Sequence, residues 1–152
     1  MRKKLSILTT LLLSLLLTGC TLEDNVEEMF FSKTWYIVGG GINGEAMNSV
    51  VSEFYHDKNG KPYGSSAYCI HFDTGNTFTC ILAPGTTFSG TWNVDPVKRQ
   101  LHMNMKSSST AQAAIDRSLF IILKDITFYE GDNQYLIIYK DKENYIRLNH
   151  ER

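Results

Sequence analysis

A mainly β domain, a small antiparallel β-barrel or sandwich with one or two short helices, is the fold class this sequence predicts, on three observations. From Ser66 onward the apolar residues recur with a period of two or in short mixed runs, as half-buried strands require. Turn-forming clusters cut those runs at short intervals: Asp73-Thr74-Gly75-Asn76, Pro84-Gly85, Asp95-Pro96, Gly131-Asp132-Asn133 and Asp141 to Asn144. The 152 residues, 43% hydrophobic and 20% charged, suffice for one globular core and no more. That composition excludes a large multidomain enzyme, a disordered tail and a coiled coil. Fifteen Lys plus Arg against sixteen Asp plus Glu leave no basic excess to build a nucleic-acid groove.

The chain begins with an address. Arg2, Lys3 and Lys4 precede the apolar run Leu5 to Leu17, and Leu17-Thr18-Gly19-Cys20 closes it. The run is shorter than the roughly 20 apolar residues a bilayer span needs, so it reads as an export signal. Its ending resembles the bacterial lipobox, in which the Cys receives a diacylglyceryl thioether, the preceding peptide is removed and the new amino terminus is acylated. By that resemblance Cys20 becomes the first residue of a lipoprotein, held at a membrane by several acyl chains. Residues 1–19 are then signal peptide, residues 20–28 a lipidated tether bearing Glu23, Asp24, Glu27 and Glu28, and residues 29–152 a single domain. Thr21 resembles the residue that permits outer-membrane sorting in diderm bacteria, and the acids beyond it resemble the surface-export signals of Bacteroidetes lipoproteins. The expected location is the cell envelope, at the outer membrane, with its periplasmic face and the cell surface both open.

In the domain, Trp35 to Val38 is an aromatic and β-branched run ending in three glycines, a first strand. Met47, Val50, Val51 and Phe54 then recur at helical spacing, with Asn43 as a cap and Asn59-Gly60 and Pro62 as the stop. Strands are expected at Tyr68 to Phe72, Thr77 to Leu82, Phe88 to Val94, Gln100 to Met105, Ile126 to Tyr129, Tyr135 to Tyr139 and Tyr145 to Leu148. One helix interrupts them: Ser107 to Thr110 supply caps, and Ala111, Ala113, Ala114, Ile115, Leu119, Ile122 and Leu123 mark a stripe that would plug a barrel end or lie across a face.

These residues carry a resemblance. Ile70 to Met105, with its Phe72-Asp73-Thr74-Gly75-Asn76-Thr77-Phe78 and Phe88-Ser89-Gly90-Thr91-Trp92-Asn93-Val94-Asp95 segments, is similar to the central hairpins of the META or heat-shock lipoprotein domain. Ala113 to Asp116, Leu119, Leu123 and the last three strands are similar to that domain's helix and closing strands. The family's usual Gly-Cys-Asn is replaced by Ala83-Pro84-Gly85-Thr86, which leaves a neighbouring family of calycin-like lipoproteins as the other candidate. The resemblance implies a small β-rich lipoprotein without established catalytic residues, sometimes associated with envelope stress.

Cys69 and Cys80 are the most informative pair. A hairpin symmetric about Thr74-Gly75 sets them directly opposite one another, and an exported protein sits where a disulfide forms. That bond would add roughly 2–3 kcal/mol in the chain-entropy account. A three-residue loop with Gly75 left-handed would instead put them on opposite faces, as two separate buried thiols.

The other constellations have duller explanations. Gly39-x-Gly41-x-x-Gly44 matches the dinucleotide fingerprint formally, but no parallel strand with a terminal acid follows, so it reads as a glycine-rich strand exit. His56, His71, His102 and His150 are scattered singly, and His102-Met103-Asn104-Met105 alternates as a half-buried strand rather than as a copper-binding segment, so no metal is expected. No nucleophile elbow, Ser-x-x-Lys or phosphate loop occurs, so no catalytic residue and no cofactor is named. Eight Tyr, eight Phe and two Trp remain, and Trp35, Phe72, Phe78, Phe88, Trp92, Phe128, Tyr135 and Tyr139 are expected to pack a core. The primary expectation is a monomeric, non-enzymatic binding or scaffolding module for envelope proteins or cell-wall components, reaching the membrane through its lipid. The alternative is a lipocalin-like carrier of a small apolar ligand inside the barrel.

Overall fold

The computed structural model describes residues 25–47, 55–64, 66–108 and 114–151. The expected signal peptide, Cys20, and Val50, Val51 and Phe54 of the expected first helical stripe lie outside the described residues. Nine strands form one antiparallel sheet in the order β2-β1-β3-β4-β5-β6-β7-β8-β9, and β1 pairs with β9 as well. Eight of them therefore close into a barrel: β1 (Lys33–Ile42), β3 (Cys69–Phe72), β4 (Thr77–Ile81), β5 (Thr87–Asp95), β6 (Gln100–Ser108), β7 (Phe128–Gly131), β8 (Tyr135–Tyr139) and β9 (Tyr145–Asn149). The two-residue β2 (Glu45–Ala46) folds back on β1. Closure is uneven: β1 meets β9 along five residue pairs, whereas β6 meets β7 at Gln100 and Phe128 alone.

The alternation that predicts the strands is the alternation of burial. Ile70, Phe72, Phe78 and Cys80 face inward across β3 and β4, and Leu101 and Met103 are buried on β6 while His102 and Asn104 are exposed. The interior is filled by rings. Phe30 makes edge-on contacts with Phe72 at 5.2 Å and Tyr129 at 5.3 Å and lies 5.4 Å from Trp92. Each such contact adds about 0.5–1.5 kcal/mol beyond the area it buries.

Phe30 arrives on a helix. In α1 (Val26–Phe30) the Asn25 side chain accepts from the Glu28 backbone N–H at 3.3 Å, and Met29 and Phe30 are buried. Residues 25–28, expected in a solvated tether, are thus the cap and first turn of a plug. The Trp35 indole N–H donates to the Met29 carbonyl at 2.9 Å, and Lys33 Nζ donates to the carbonyls of Glu28 and Asn133. The second helix, α2 (Ala114–Lys124), turns Leu119, Ile122 and Leu123 inward and rests its Phe120 ring 4.6 Å from Phe88. The helix stripe read from the sequence is confirmed from Ala114 on, but Ser107 and Ser108, expected as caps, end β6.

Two local expectations are corrected. Asn43 is not a helix cap: it sits with φ 51° between β1 and β2, its N–H donating to Asn144 Oδ1. The glycine run does not leave the sheet: Gly39, Gly40 and Gly41 pair antiparallel with Arg147, Ile146 and Tyr145, on the seam that closes the barrel. A Cβ on Gly40 would strike the Tyr145 carbonyl oxygen and Met47 Cε, so the seam closes only around glycine.

The register also fixes which loops share an end. α1, the β3–β4 and β7–β8 turns and the carboxyl-terminal residues gather at one end, tied by Asn133 donating to Glu28 and by His150 N–H to the Gln134 carbonyl. The β1–β2 turn and the β8–β9 loop meet at the other, where Gly44 N–H donates to the Glu143 carbonyl.

Candidate functional site

Outward-facing residues of β7, β8 and β9 line up across the strands in two rows. One runs Glu130, Ile137, Arg147 and Gly39; the next runs Phe128, Tyr139, Tyr145 and Gly41. Because the two end positions on β1 are glycine, the side chains beside them lie down across the neighbouring strand. A Cβ on Gly39 would come within 2.7 Å of Arg147 Nη2, and one on Gly41 within 2.5 Å of the Tyr145 ring. Phe128 stacks on Tyr139 with centroids 5.6 Å apart and planes at 27°.

The rows floor a cleft of about 440 Å³, lined by Glu130, Ile137, Tyr139, Tyr145 and Arg147 from the strands and by Asp141 and Lys142 from the β8–β9 loop. That loop is held by its own aspartate. Asp141 Oδ1 accepts from the Glu143 and Asn144 backbone N–H groups, each at 2.9 Å, and from the Asn144 side chain at 3.0 Å. The Asn144 side chain first and the Glu143 N–H next hold the Asp141 carboxyl below the usual carboxylate range. Asn144 in turn accepts from Asn43, so the cleft rim and the β1–β2 turn form one hydrogen-bonded unit. Glu130 and Asp141 against Lys142 and Arg147 leave the lining without net charge. Its chemistry is two tyrosine rings bordered by donors and acceptors.

Sequence reading missed this cleft because it assigned Phe128, Tyr135 and Tyr139 to the core. The structure corrects all three: Phe128 and Tyr139 are half-buried on the outer face and Tyr135 is 39% exposed. The period-two alternation around buried Leu136, Ile138, Ile146 and Leu148 was the available signal, since it turns Ile137, Tyr139, Tyr145 and Arg147 outward.

Cys69 and Cys80 are both buried and are not joined to each other. The symmetric register that would set them opposite one another is not adopted: Cys69 faces Ile81 and Cys80 faces Ile70. The reason is the turn. Asp73 N–H donates to the Thr77 carbonyl at 2.9 Å around a three-residue loop whose left-handed residue is Asn76, φ 56°, rather than Gly75. That one-residue shift sends Cys80 into the core and Cys69 to the other face, where its Sγ donates to the Ser66 carbonyl at 3.3 Å. Burial pushes the Cys80 thiol far up, with Cys69 and then Asp116 adding to it.

Two further clusters are structural in geometry. The buried Tyr68 hydroxyl donates to Asp116 Oδ1 at 3.0 Å, tying α2 to the barrel wall. Thr34 Oγ1, His71 Nδ1 and His71 Nε2 with Asp73 follow the order of a nucleophile, a base and an orienting acid, at 2.9 and 3.2 Å. They stand on the open outer face with the His71 and Asp73 side chains 41% and 48% exposed, fastening β1 to the β3–β4 turn. Among the described residues no three His, Cys, Asp or Glu side chains come together to hold a metal ion, and no helix is long and apolar enough to cross a membrane.

Comparison with known proteins corrects the family. The chain is similar to the crystal structure of a DUF4847 family protein from Bacteroides vulgatus ATCC 8482, with a TM-score of 0.59 and 23% identity over 84% of this chain and 98% of that one. That likeness concerns the fold alone. Comparison with curated proteins finds no match. The resemblance to the META or heat-shock lipoprotein domain is overturned, because the motifs that carried it are period-two hydrophobic patterns that any small antiparallel barrel needs. The profile of a different family, DUF4847, a domain of unknown function, matches residues 22–150, and the chain belongs to that family.

Proposed function

We propose that this protein is a lipid-anchored envelope lipoprotein whose barrel is a non-enzymatic binding module, engaging its partner through the outer cleft of β7, β8 and β9. The carrying observation is that the packable space inside the barrel is taken by Phe30, Trp35, Phe72, Phe78 and Tyr129, each fully or almost fully buried, while the cleft of about 440 Å³ opens on the outer wall. A carrier that encloses an apolar ligand would need that interior space. The anchor reading is supported by the lipobox-like ending at Cys20. Four residues lie between Cys20 and Asn25, a reach of at most about 18 Å over five Cα–Cα steps, which keeps the α1 end close to the membrane. The β8–β9 loop on the cleft rim belongs to the opposite end, so that rim of the cleft lies away from the lipid.

The test has two arms. Cys20→Ser is expected to abolish fatty-acid incorporation and to release the protein from the membrane fraction; a variant that stays lipidated and membrane-bound refutes the anchor. A photo-crosslinking residue at Ile137 is expected to capture an envelope component that one at Ile121, 60% exposed on α2, does not. Equal capture at both positions removes the cleft from the proposal.

A further inference from the structure

We infer that the β5–β6 turn, Pro96 to Arg99, is a second membrane contact: Val97 enters the lipid surface that holds the acyl chains of Cys20 and sets the barrel end-on to it. The inference rests on the anchor at Cys20. β4 last pairs with β5 at Thr77 and Thr91, while β5 and β6 pair on to Asp95 and Gln100. The hairpin therefore runs four residues, about 13 Å, beyond the last β4 pair. It runs toward the end that carries α1. The Trp92 N–H donates to the Asn76 carbonyl of the β3–β4 turn, and the Phe30 and Phe31 rings lie 5.4 and 5.6 Å from the Trp92 ring. Anchor and hairpin are thus neighbours, because Cys20 stands at most about 18 Å along the chain from Asn25, the cap of α1.

The tip is pre-formed and apolar. Asp95 Oδ1 accepts from the Val97 and Lys98 backbone N–H groups, each at 3.1 Å, and the Pro96 ring fixes its own φ. That frame holds Val97 74% exposed, the most exposed large apolar side chain among the described residues. Tyr135, 39% exposed, stands at the same end, where its carbonyl accepts from the Asp132 N–H across the β7–β8 turn. An aliphatic tip and a tyrosine, with Lys98 and Arg99 exposed beside the tip, suit the boundary between lipid headgroups and acyl chains. Position matters more than exposure. Ile121 is 60% exposed as well, but α2 packs through Phe120 on Phe88 and through Asp116 on Tyr68, at the opposite end of the strands. One valine would not hold a protein on a bilayer. Beside the acyl chains it has only to enter where the anchor already places it, at a high effective concentration.

The experiment is hydroxyl-radical footprinting, read by mass spectrometry, of the lipidated full chain in vesicles of phosphatidylethanolamine and phosphatidylglycerol, with the Cys20→Ser protein beside the same vesicles as reference. Flotation is scored first: a full chain that does not float with the vesicles refutes the anchor, and the inference falls with it. In floated protein, oxidation at Val97 and Tyr135 is expected to drop at least about threefold against the reference, with Ile121 and Tyr145 unchanged. Val97→Asp, a change at an exposed turn that leaves the fold intact, is expected to restore oxidation at Tyr135 while the protein still floats. Val97 left unprotected on floated protein overturns the contact and leaves the anchor standing. Protection of Tyr135 that is indifferent to Val97→Asp overturns it by placing the contact elsewhere. Equal protection of Ile121 and Tyr145 overturns it too, marking association between barrels instead of contact through one end.

Discussion

The Cys80 thiol sits in a fully buried position among Ile70, Phe72 and Phe78, and one residue along the turn decides its fate. Had the loop held two residues, Cys80 would have met Cys69; with three it meets Ile70. Alkylation of the unfolded chain without reductant is therefore expected to modify both Cys69 and Cys80, read by mass; protection that only reductant lifts would contradict the register. The glycines make the same point about single atoms. At the β5–β6 bulge a Cβ on Gly90 would strike the Asn104 carbonyl oxygen, whereas one on Gly75 would meet nothing within 4 Å. Gly90→Ala is expected to lower stability by about 2–3 kcal/mol in urea unfolding. Gly75→Ala should change it by less than about 0.5 kcal/mol. The glycines were visible in the sequence, but their unequal importance was not, because it depends on which backbone lies opposite.

Turns set the register of each hairpin, and among the described residues four loops are built by an aspartate that accepts neighbouring backbone N–H groups. Asp57 accepts from Asn59 and Lys61, Asp95 from Val97 and Lys98, Asp132 from Gln134 and Tyr135, and Asp141 from Glu143 and Asn144. Those hydrogen bonds hold each carboxyl below the ordinary aspartate value of 3.8: for Asp57 the Lys61 N–H first, for Asp95 that of Lys98, for Asp132 that of Gln134, and for Asp141 the Asn144 side chain. The folded state binds these protons more weakly than the unfolded state does. Their contribution to stability is thus fully present above the unfolded value near 3.8 and is lost as pH falls through the lower folded values. The melting temperature is expected to hold from about pH 7 to pH 5 and to drop below about pH 4, with a shallower drop in Asp132→Asn. A melting temperature that rises on acidification would refute the assignment. Three of these four aspartates lie in turns read directly from the sequence, because Asp with Gly, Asn or Pro beside it, or with Asn three residues on as at Asp141, is a local signal. The strand positions were legible for a similar reason; β8 was read at its observed bounds, while β1 ran longer at both ends than expected.

For the whole molecule, the barrel is plugged by α1 and its Phe30. Phe30 touches Phe72, Trp92 and Tyr129, and Trp35 ties its helix down through the Met29 carbonyl. Phe30→Ala is expected to cost about 3–5 kcal/mol in denaturant unfolding, as removal of a core ring does. A cost below about 1 kcal/mol would mean that α1 is peripheral. By itself the sequence determined the mainly β class, the positions of most strands, the second helix from Ala114 on, and the expectation of an export signal ending at Cys20. All of these are local patterns, a period, a spacing or a tetrapeptide, readable within a few residues. Only the tertiary structure decided the register of Cys69 and Cys80, the closure of β1 on β9, the plug made by Phe30, and the cleft assembled from Glu130, Tyr139, Tyr145 and Arg147. The physical reason is separation along the chain: Gly39 and Arg147 become neighbours only when the last strand returns to the first, and no local pattern records what a side chain will meet across that seam.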